Sequence, residues 1–520
     1  MLHSVRSSRG MVTAPHHLAA QAGLDILKDG GTALEASVAV AAALAVVYPH
    51  MTGIGGDGFW LIRESDGRVH AIHGCGGAAA KAKLSLYAGM EAIPTRGPLA
   101  ANTVAGTVSA WQAALEGSAL PLSRILRDAI HFAEEGVAIT RSGAGIVAAK
   151  GSELRAQPGA WATTYDRLAE GDLLRQPALA ETLRRIAEEG PASFYTGALA
   201  ADIAADLAGL GSPVSANDLA AHRAERRAPL QVEIDGARLY NSAPPTQGFA
   251  SLLILALFDR LAAPAAESFD HVHGLVEATK QAFLLRDAFV GDPAYMQFDC
   301  QALLDDPVLL DELAARIDPA RALPWPQPAS AGDTCWFATA DAEGRVVSAI
   351  QSTYFEFGSG LVLPRTGITW QNRGSSFRLA LDGWNALKPG REPFHTLNPA
   401  LAAFADGRTL AYGTMGGEGQ PQTQAALFTR YARYGVNLQE AISRPRWLLG
   451  RTWGEQSVTL KLEDRFDPAL VAQLRAAGHD VEILAPFTAT MGHAGAIVRH
   501  PDGSLEGATD PRSDGQVAAW

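Results

Sequence analysis

Gly332-Asp333-Thr334-Cys335-Trp336, continued by FATADAEGRVVSAIQSTYFEFGSG over residues 337–360, sets a hydroxyl residue at the head of a strand directly after a Pro-rich run. Cys335 to Thr339 reads as a strand, Asp341 to Gly344 carries turn residues, and Arg345 to Gln351 is β-branched-rich, so a hairpin is predicted. The preceding PWPQPASAGD reads as part of a loose connector from Ala322 to Asp333. A chain cut before Thr334 would leave that threonine's own α-amine within reach of its own hydroxyl, nucleophile and base in one residue. An α-amine titrates near about 8, close enough to neutrality to accept the hydroxyl proton. On spacing alone, a threonine opening a strand is more often structural.

With 520 residues, 47% of them hydrophobic, the chain has ample material for a core, as several domains or one large layered unit. A formal net charge of -12 argues against nucleic acid or an anionic membrane as partner, since either favours a basic face. Cys75, Cys300 and Cys335 show no C-x-x-C spacing, which indicates neither a disulfide framework nor a zinc cluster and fits a reducing compartment. The start, MLHSVRSSRGMVTAPHHLAA, lacks a long apolar core after its basic residues, and the largely apolar run Ala36 to Val47 is too short to span a bilayer. The expected location is the cytoplasm.

Thr13 is predicted to cap a helix through Leu27, and Thr32 to cap a second, apolar nearly all round and therefore buried between layers. The glycines of GIGGDG (residues 53–58) stand in the order helix, glycines, strand, whereas a dinucleotide fingerprint needs strand, glycines, helix. A tight turn pressed against neighbouring backbone is expected instead, and no cofactor. From about Leu99 to Leu210 apolar residues recur at helical spacing. On a helix over 271–289, His273 and Glu277 could share a face, but two potential ligands without a third read as core or surface polar groups, and no metal is expected. LQVEIDGARLYN reads as a strand-like segment, and TLAYGT, HDVEIL, HAGAIVR and SLEGAT make the second half strand-rich, with helices over 422–434 and 468–477. This alternation suggests strands in two layers with helices outside.

The stretches GDTCW, YFEFGSG, WQNRGSSF, PFHTLNPA and GTMGGEGQPQTQ, with GGTALEASVAVAAALAVVYPHMTGIGGDGF near the start and GATDPRSDG at the end, resemble the γ-glutamyltranspeptidase family. Within it they look most like the oxamate amidohydrolase branch. The resemblance implies an α+β chain in the four-layer αββα fold of N-terminal-nucleophile hydrolases. It implies a precursor that cuts itself between Asp333 and Thr334 into 1–333 and 334–520, which stay together as a heterodimer forming one structural unit. A cytoplasmic location would depart from the exported transpeptidases of that family.

By resemblance, Thr334 is the nucleophile, Gly416 and Gly417 are the oxyanion pair, and Ser352 is a hydroxyl that positions the nucleophile. The glycines stand between a strand and a helix, where backbone N–H groups and the helix dipole suit negative charge, or where an ordinary turn needs φ > 0. Ser352 reads also as a solvated strand end. Where transpeptidases hold the α-carboxylate of a γ-glutamyl group with an arginine, IHGCGGAAA has Cys75, and where they hold its α-amine with an acid, QNRGSSF has Ser375 and Ser376 for the acidic pair. His395 and Thr396 replace the family's serine pair, and Tyr354 replaces an asparagine; Tyr354 and His395 would shrink the pocket. Arg373, new relative to the transpeptidases, could grip a small carboxylate such as that of oxamate, or could pair with an acid of the fold such as Glu356. Asn372, His395 and Thr396 are lesser candidates for the amide or carboxylate, and Cys335 is expected to point into the core.

The expected activity is therefore self-processing hydrolysis of a small carboxylated amide, oxamate to oxalate and ammonia, with a γ-glutamyl hydrolase or transpeptidase, or another acylase, as the enzymatic alternative. An unprocessed relative that only binds a small ligand is the alternative of another class, since Asp333 and Cys335-Trp336 depart from the transpeptidases' usual residues around the cut.

Overall fold

Two seven-stranded sheets, antiparallel throughout, lie face to face in the computed structural model, which describes residues 3–325, 333–450 and 457–520. The first sheet runs, edge to edge, Val5–Ser7, Leu505–Thr509, Ala494–Arg499, Thr409–Thr414, Ala400–Phe404, Ala237–Asn241, Leu230–Ile234. The second runs Gln516–Ala519, Met11–Ala14, Asp333–Ala340, Val346–Tyr354, Asp57–Arg63, Val69–Gly74, Glu225–Arg227. Of the connector read over 322–333, residues 326–332 lie outside the described residues.

The period-two alternation of each strand builds three cores. In Asp333–Ala340, Trp336, Ala338 and Ala340 enter the layer between the sheets, with Phe59, Leu61, Ile350, Leu401, Ala411 and Ile497. Cys335 and Phe337 point the other way, into a core shared with the helices His17–Lys28, Ala33–Val47 and Thr107–Ala114. On the outer face of the first sheet, Leu410, Tyr412, Ala496 and Val498 pack on the helices Gly248–Asp259, Phe269–Phe289 and Gly419–Phe428. The order is helix, sheet, sheet, helix, the expected αββα sandwich.

The Trp336 indole fills the gap between the sheets where glycine removes a side chain opposite. A Cβ on Gly413 would lie 2.3 Å from the ring and one on Gly495 2.5 Å. Its Nε1–H donates to Ser348 Oγ at 3.0 Å, so the one polar atom of the ring is satisfied in place. The hairpin forms as expected and extends to Tyr354. Helix Ala33–Val47 is buried at all but Leu34, and Thr32 starts it with a capping box, Oγ1 accepting from Glu35 N and the Glu35 carboxylate accepting from Thr32 N.

Three expectations change. Thr13 caps nothing: it lies inside Met11–Ala14, and the helix begins only at His17, capped by His16 Nδ1 accepting from Leu18 N at 3.2 Å. LQVEIDGARLYN is a hairpin, not one strand, because Asp235 (φ 51) and Gly236 (φ 70) form a left-handed turn at its middle. The helix read over 422–434 starts at Gly419 and ends at Phe428, giving way to a π-helical turn over Thr429–Arg433. HDVEIL does supply a strand, Val481–Leu484, but in a separate three-stranded sheet. No helix among the described residues is long and apolar enough to cross a membrane.

Candidate active site

Thr334 is the second residue of a strand in the interior of its sheet and is fully buried. Asp333 pairs with Tyr354 and Cys335 with Gln351, so two partner residues, Ser352 and Thr353, stand opposite Thr334 alone. The extra residue of this β-bulge lies on the partner strand, opposite Thr334. Thr334 shares the parity of Trp336 and faces the space between the sheets, where Gln420 Nε2, from the helix after the glycine turn, donates to its Oγ1 at 3.4 Å. Ser352 lies on the adjacent strand with its Oγ accepting from Tyr354 N at 2.8 Å.

The turn Gly416-Gly417 leaves the strand Thr409–Thr414 and feeds the helix Gly419–Phe428. Both glycines hold positive φ, 117 and 52, a backbone that side-chain-bearing residues rarely adopt. Gln247 pins the turn: its Nε2 donates to Gly417 O at 2.8 Å and to Thr396 O at 2.7 Å. Arg286 orients that amide, donating from Nη1 to Gln247 Oε1 at 2.8 Å, and its Nη2 pairs with Glu418 at 2.5 Å. Arg286 and Glu418 are both buried, and a buried ion pair with further hydrogen bonds fixes geometry more than it adds stability.

Arg373 opens a single 3-10 turn and is 1% exposed. Its Cζ lies 3.6 Å from the centroid of the Tyr354 ring, Nη2 donates to Thr396 Oγ1 at 3.3 Å, and Nη1 has no hydrogen-bond partner. Burial pulls its guanidinium down to about 10. The ion pair with Glu356 is not formed, because Glu356 faces Arg96, whose Nη2 is 3.5 Å away and whose Nη1 donates to the Glu356 carbonyl. Tyr354 holds φ 83, strained for a tyrosine, and by that turn lies under the guanidinium. Asn372 spends its amide on the backbone, accepting from Phe355 N at 3.0 Å and donating to Thr95 O at 2.7 Å.

His395 is fully buried, edge-on to Phe59, and its Nε2 stands 3.2 Å from Asp57 Oδ2. Asp57 lies directly across from Ser352 in the register, and its Oδ1 accepts from Gly106 N at 3.0 Å and Gln371 Nε2 at 3.1 Å. Thr334, Ser352 and Asp57 therefore stand on three neighbouring strands at one end of the inter-sheet layer. Cys75 and Cys335 are buried, Cys75 in the core between the sheets and Cys335 on the helix side.

Sequence reasoning missed Asp57, Gln247, Arg286 and Gln420. An acid among the glycines of GIGGDG was the available signal for Asp57, since a glycine turn alone requires no carboxylate. The glycines answer to close approach, as expected: a Cβ on Gly56 would lie 2.1 Å from Ser352 O and one on Gly55 2.4 Å from Thr369 O. Elsewhere, His273 and Glu277 acquire a third neighbour in His479, but Glu277 already accepts from Lys280 Nζ at 2.7 Å and Leu323 N at 2.9 Å. His273 in turn contacts His479 at 2.9 Å and Asp318 O at 2.8 Å, so each of its ring nitrogens has a protein partner.

A sequence model described as Gamma-glutamyltranspeptidase matches residues 19–520. The chain is 56% identical over 523 residues to the oxamate amidohydrolase proenzyme of Klebsiella pneumoniae, covering 99% of both chains. It is 30% identical to the glutathione hydrolase proenzyme of Escherichia coli over 551 residues, covering 100% of this chain and 93% of that one. Among solved structures it is similar to a cephalosporin acylase from Bacillus halodurans, with a TM-score of 0.92 and 33% identity over 100% of this chain and 97% of that one.

Proposed function

Because this chain belongs to the γ-glutamyltranspeptidase family, we propose that it is a self-processing amidohydrolase that converts oxamate to oxalate and ammonia. The observation that carries the substrate is Arg373, a buried guanidinium with Nη1 unpartnered and with no acid in ion-pair range among the described residues. A buried charge without a partner is costly, and a small carboxylate is the group that supplies one. The hydrogen bonds Arg373 to Thr396, Thr396 to Gln247 and Gln247 to Gly417 tie this cation to the glycine turn. Oxamate, whose carboxylate adjoins its amide, offers one group for each.

In maturation, Thr334 Oγ1 attacks the Asp333 carbonyl, the peptide C–N bond gives way to an ester, and water hydrolyses that ester to a carboxylate on Asp333 and a free amine and hydroxyl on Thr334. The pieces 1–333 and 334–520 remain a heterodimer. In turnover, the amine takes the Oγ1 proton, Oγ1 adds to the carboxamide carbon, and the Gly416 and Gly417 N–H groups hold the oxyanion. The C–N bond then breaks, ammonia leaves with the proton, and water hydrolyses the oxalyl ester. Ser352 steadies the nucleophile, while Tyr354 and His395 narrow the space for the substrate. With Cys75, Ser375 and Ser376 in place of charged partners, a γ-glutamyl group would bury an unpaired carboxylate at a cost of roughly 2–5 kcal/mol. Three buried cysteines without a disulfide suit the reducing cytoplasm.

Intact-mass analysis and an ammonia assay over a panel of small amides test the reading. The wild type is expected as two pieces, the second starting at Thr334, and Thr334→Ala as one uncut chain; oxamate should release ammonia fastest. A Thr334→Ala chain that still cuts before residue 334, or efficient transfer from a γ-glutamyl anilide with no ammonia from oxamate, would overturn it.

A further inference from the structure

Asp57 Oδ2 and both ring nitrogens of His395 are buried without a hydrogen-bond partner among the described residues, Nε2 approaches Oδ2 at 3.2 Å, and the Gly76 N–H adds to the groups that favour the Asp57 carboxylate. Gly106 N–H and Gln371 occupy the other carboxyl oxygen, so Asp57 is held with Oδ2 toward the imidazole. Arg373 adjoins the pair through Thr396, the residue after His395, and Arg373 Nη1 is also partnerless. Three buried, unsatisfied polar groups converging in one place form a cradle for a polar ligand, since such atoms are otherwise paired in folded proteins.

We propose that Asp57 and His395 hold one proton across their contact, so that His395 presents Nδ1–H beside Arg373 to the carboxylate of the substrate. His395 then touches the substrate, and Asp57 is a positioning residue that acts through it. The inference rests on the oxamate reading and adds to it what decides the charge of the site.

A count of charge requires that proton. With the proton held, the pair is neutral, and Arg373 and the substrate carboxylate cancel. Without it, the buried site carries one negative charge too many, and His395 must donate from Nε2 to Asp57, which turns the Nδ1 lone pair toward the carboxylate. Burial favours the protonated state, pushing Asp57 up to about 8 against the pull of Arg373. The imidazole alone is pushed well below its ordinary range, first by burial and then by Arg373 and His73. The other groups facing the pair do not titrate near neutrality: His73 is held well below and Cys75 well above their usual ranges, and Tyr195 is raised, burial being the main cause each time. Below about 8 Asp57 keeps its proton and the carboxylate binds; above it the proton and the binding are lost.

The test compares kcat/KM for oxamate with that for oxamide, its neutral isostere, on the processed enzyme between about pH 6.5 and about pH 9. The Thr334 amine serves both substrates and cancels in the ratio. The wild-type ratio is expected to fall by about tenfold toward alkaline pH. In Asp57→Asn, where an amide N–H replaces the acid proton, the ratio should vary by less than about twofold across the range; in Asp57→Ala it should be lowered roughly tenfold already at the acidic end. A wild-type ratio that does not change with pH, or an Asp57→Asn profile that falls as the wild type does, overturns the inference while leaving the oxamate reading intact. No ammonia from oxamate with the wild type sinks both. Loss on the two substrates alike in Asp57→Asn makes Asp57 structural and overturns the inference.

Discussion

Arg373 is a cation stacked on a tyrosine, bonded to one threonine and carrying an N–H with no acceptor. Lysine cannot reproduce it, since an ammonium lacks the planar fork that both lies on the ring and reaches a carboxylate. Arg373→Lys and Arg373→Ala are expected to lower kcat/KM on oxamate by roughly two orders of magnitude or more, with a much smaller effect on oxamide, while the precursor still cuts. An equal loss on both substrates, with a lowered Tm, would place Arg373 among the structural ions. Thr334, Gly416, Gly417 and Arg373 stand out as candidates in the sequence because each is an unusual residue in a recognisable stretch. Asp57 does not: its proposed role depends on lying across a strand pair from Ser352 and beside His395, far away in sequence. The choice between a substrate clamp and a Glu356 pair was undecidable for the same reason, as Arg96, the actual partner of Glu356, lies 260 positions before it.

At the scale of the element, the nucleophile strand is set by Trp336 two residues after Thr334. Gly413→Ala or Gly495→Ala would push a methyl into the indole, where 2.3 Å and 2.5 Å are far inside contact distance. Overpacking of this kind costs about 1–3 kcal/mol. Each variant is expected to melt roughly one to three degrees lower and to accumulate uncut precursor, because a displaced Trp336 carries Thr334 off its line to the Asp333 carbonyl; thermal melts and a gel time course measure both. A variant that melts lower yet cuts at the wild-type rate would uncouple the two. The hairpin was readable from its own turn and alternation, both local signals. Met11–Ala14 was not, since four residues followed at once by a helix become a strand only through partners near 338 and 517. Local pattern says what a segment can be; pairing at that separation decides what it is.

For the whole molecule, the two-layer arrangement followed from the strand and helix rhythm, whereas strand order did not. In the second sheet Met11–Ala14 lies between Gln516–Ala519 and Asp333–Ala340, and Asp57–Arg63 pairs with Val346–Tyr354. Segments from before and after residue 333 are thus interleaved within one sheet, with Met11–Ala14 held between two later strands, and the first sheet mixes them too. The two pieces are expected to elute as one particle after processing, to melt in a single transition, and to part only in denaturant; separation by dilution or salt alone would contradict this. Screening salt should have little effect because the shared surface is mainly hydrogen-bonded strand edges and apolar core, and the partly exposed ion pairs that cross it, such as Arg6–Glu506 and Arg345–Glu64, contribute little each.

That interleaving has a consequence for how the molecule is made. Made apart, 1–333 would leave Met11–Ala14 with both edges bare, and 334–520 would leave the strand that begins at its first residues lacking one neighbour, each a template for mispairing. Continuity of the chain ensures that each half meets its own complement at high effective concentration before a foreign edge can intervene. On the proposed cut, the Asp333–Thr334 peptide bond would be a tether used once: it would bring the halves into register and then be consumed by the reaction that frees Thr334. A gene split at residue 333 should therefore yield little active enzyme from two polypeptides, although the proposed mature enzyme is itself two polypeptides.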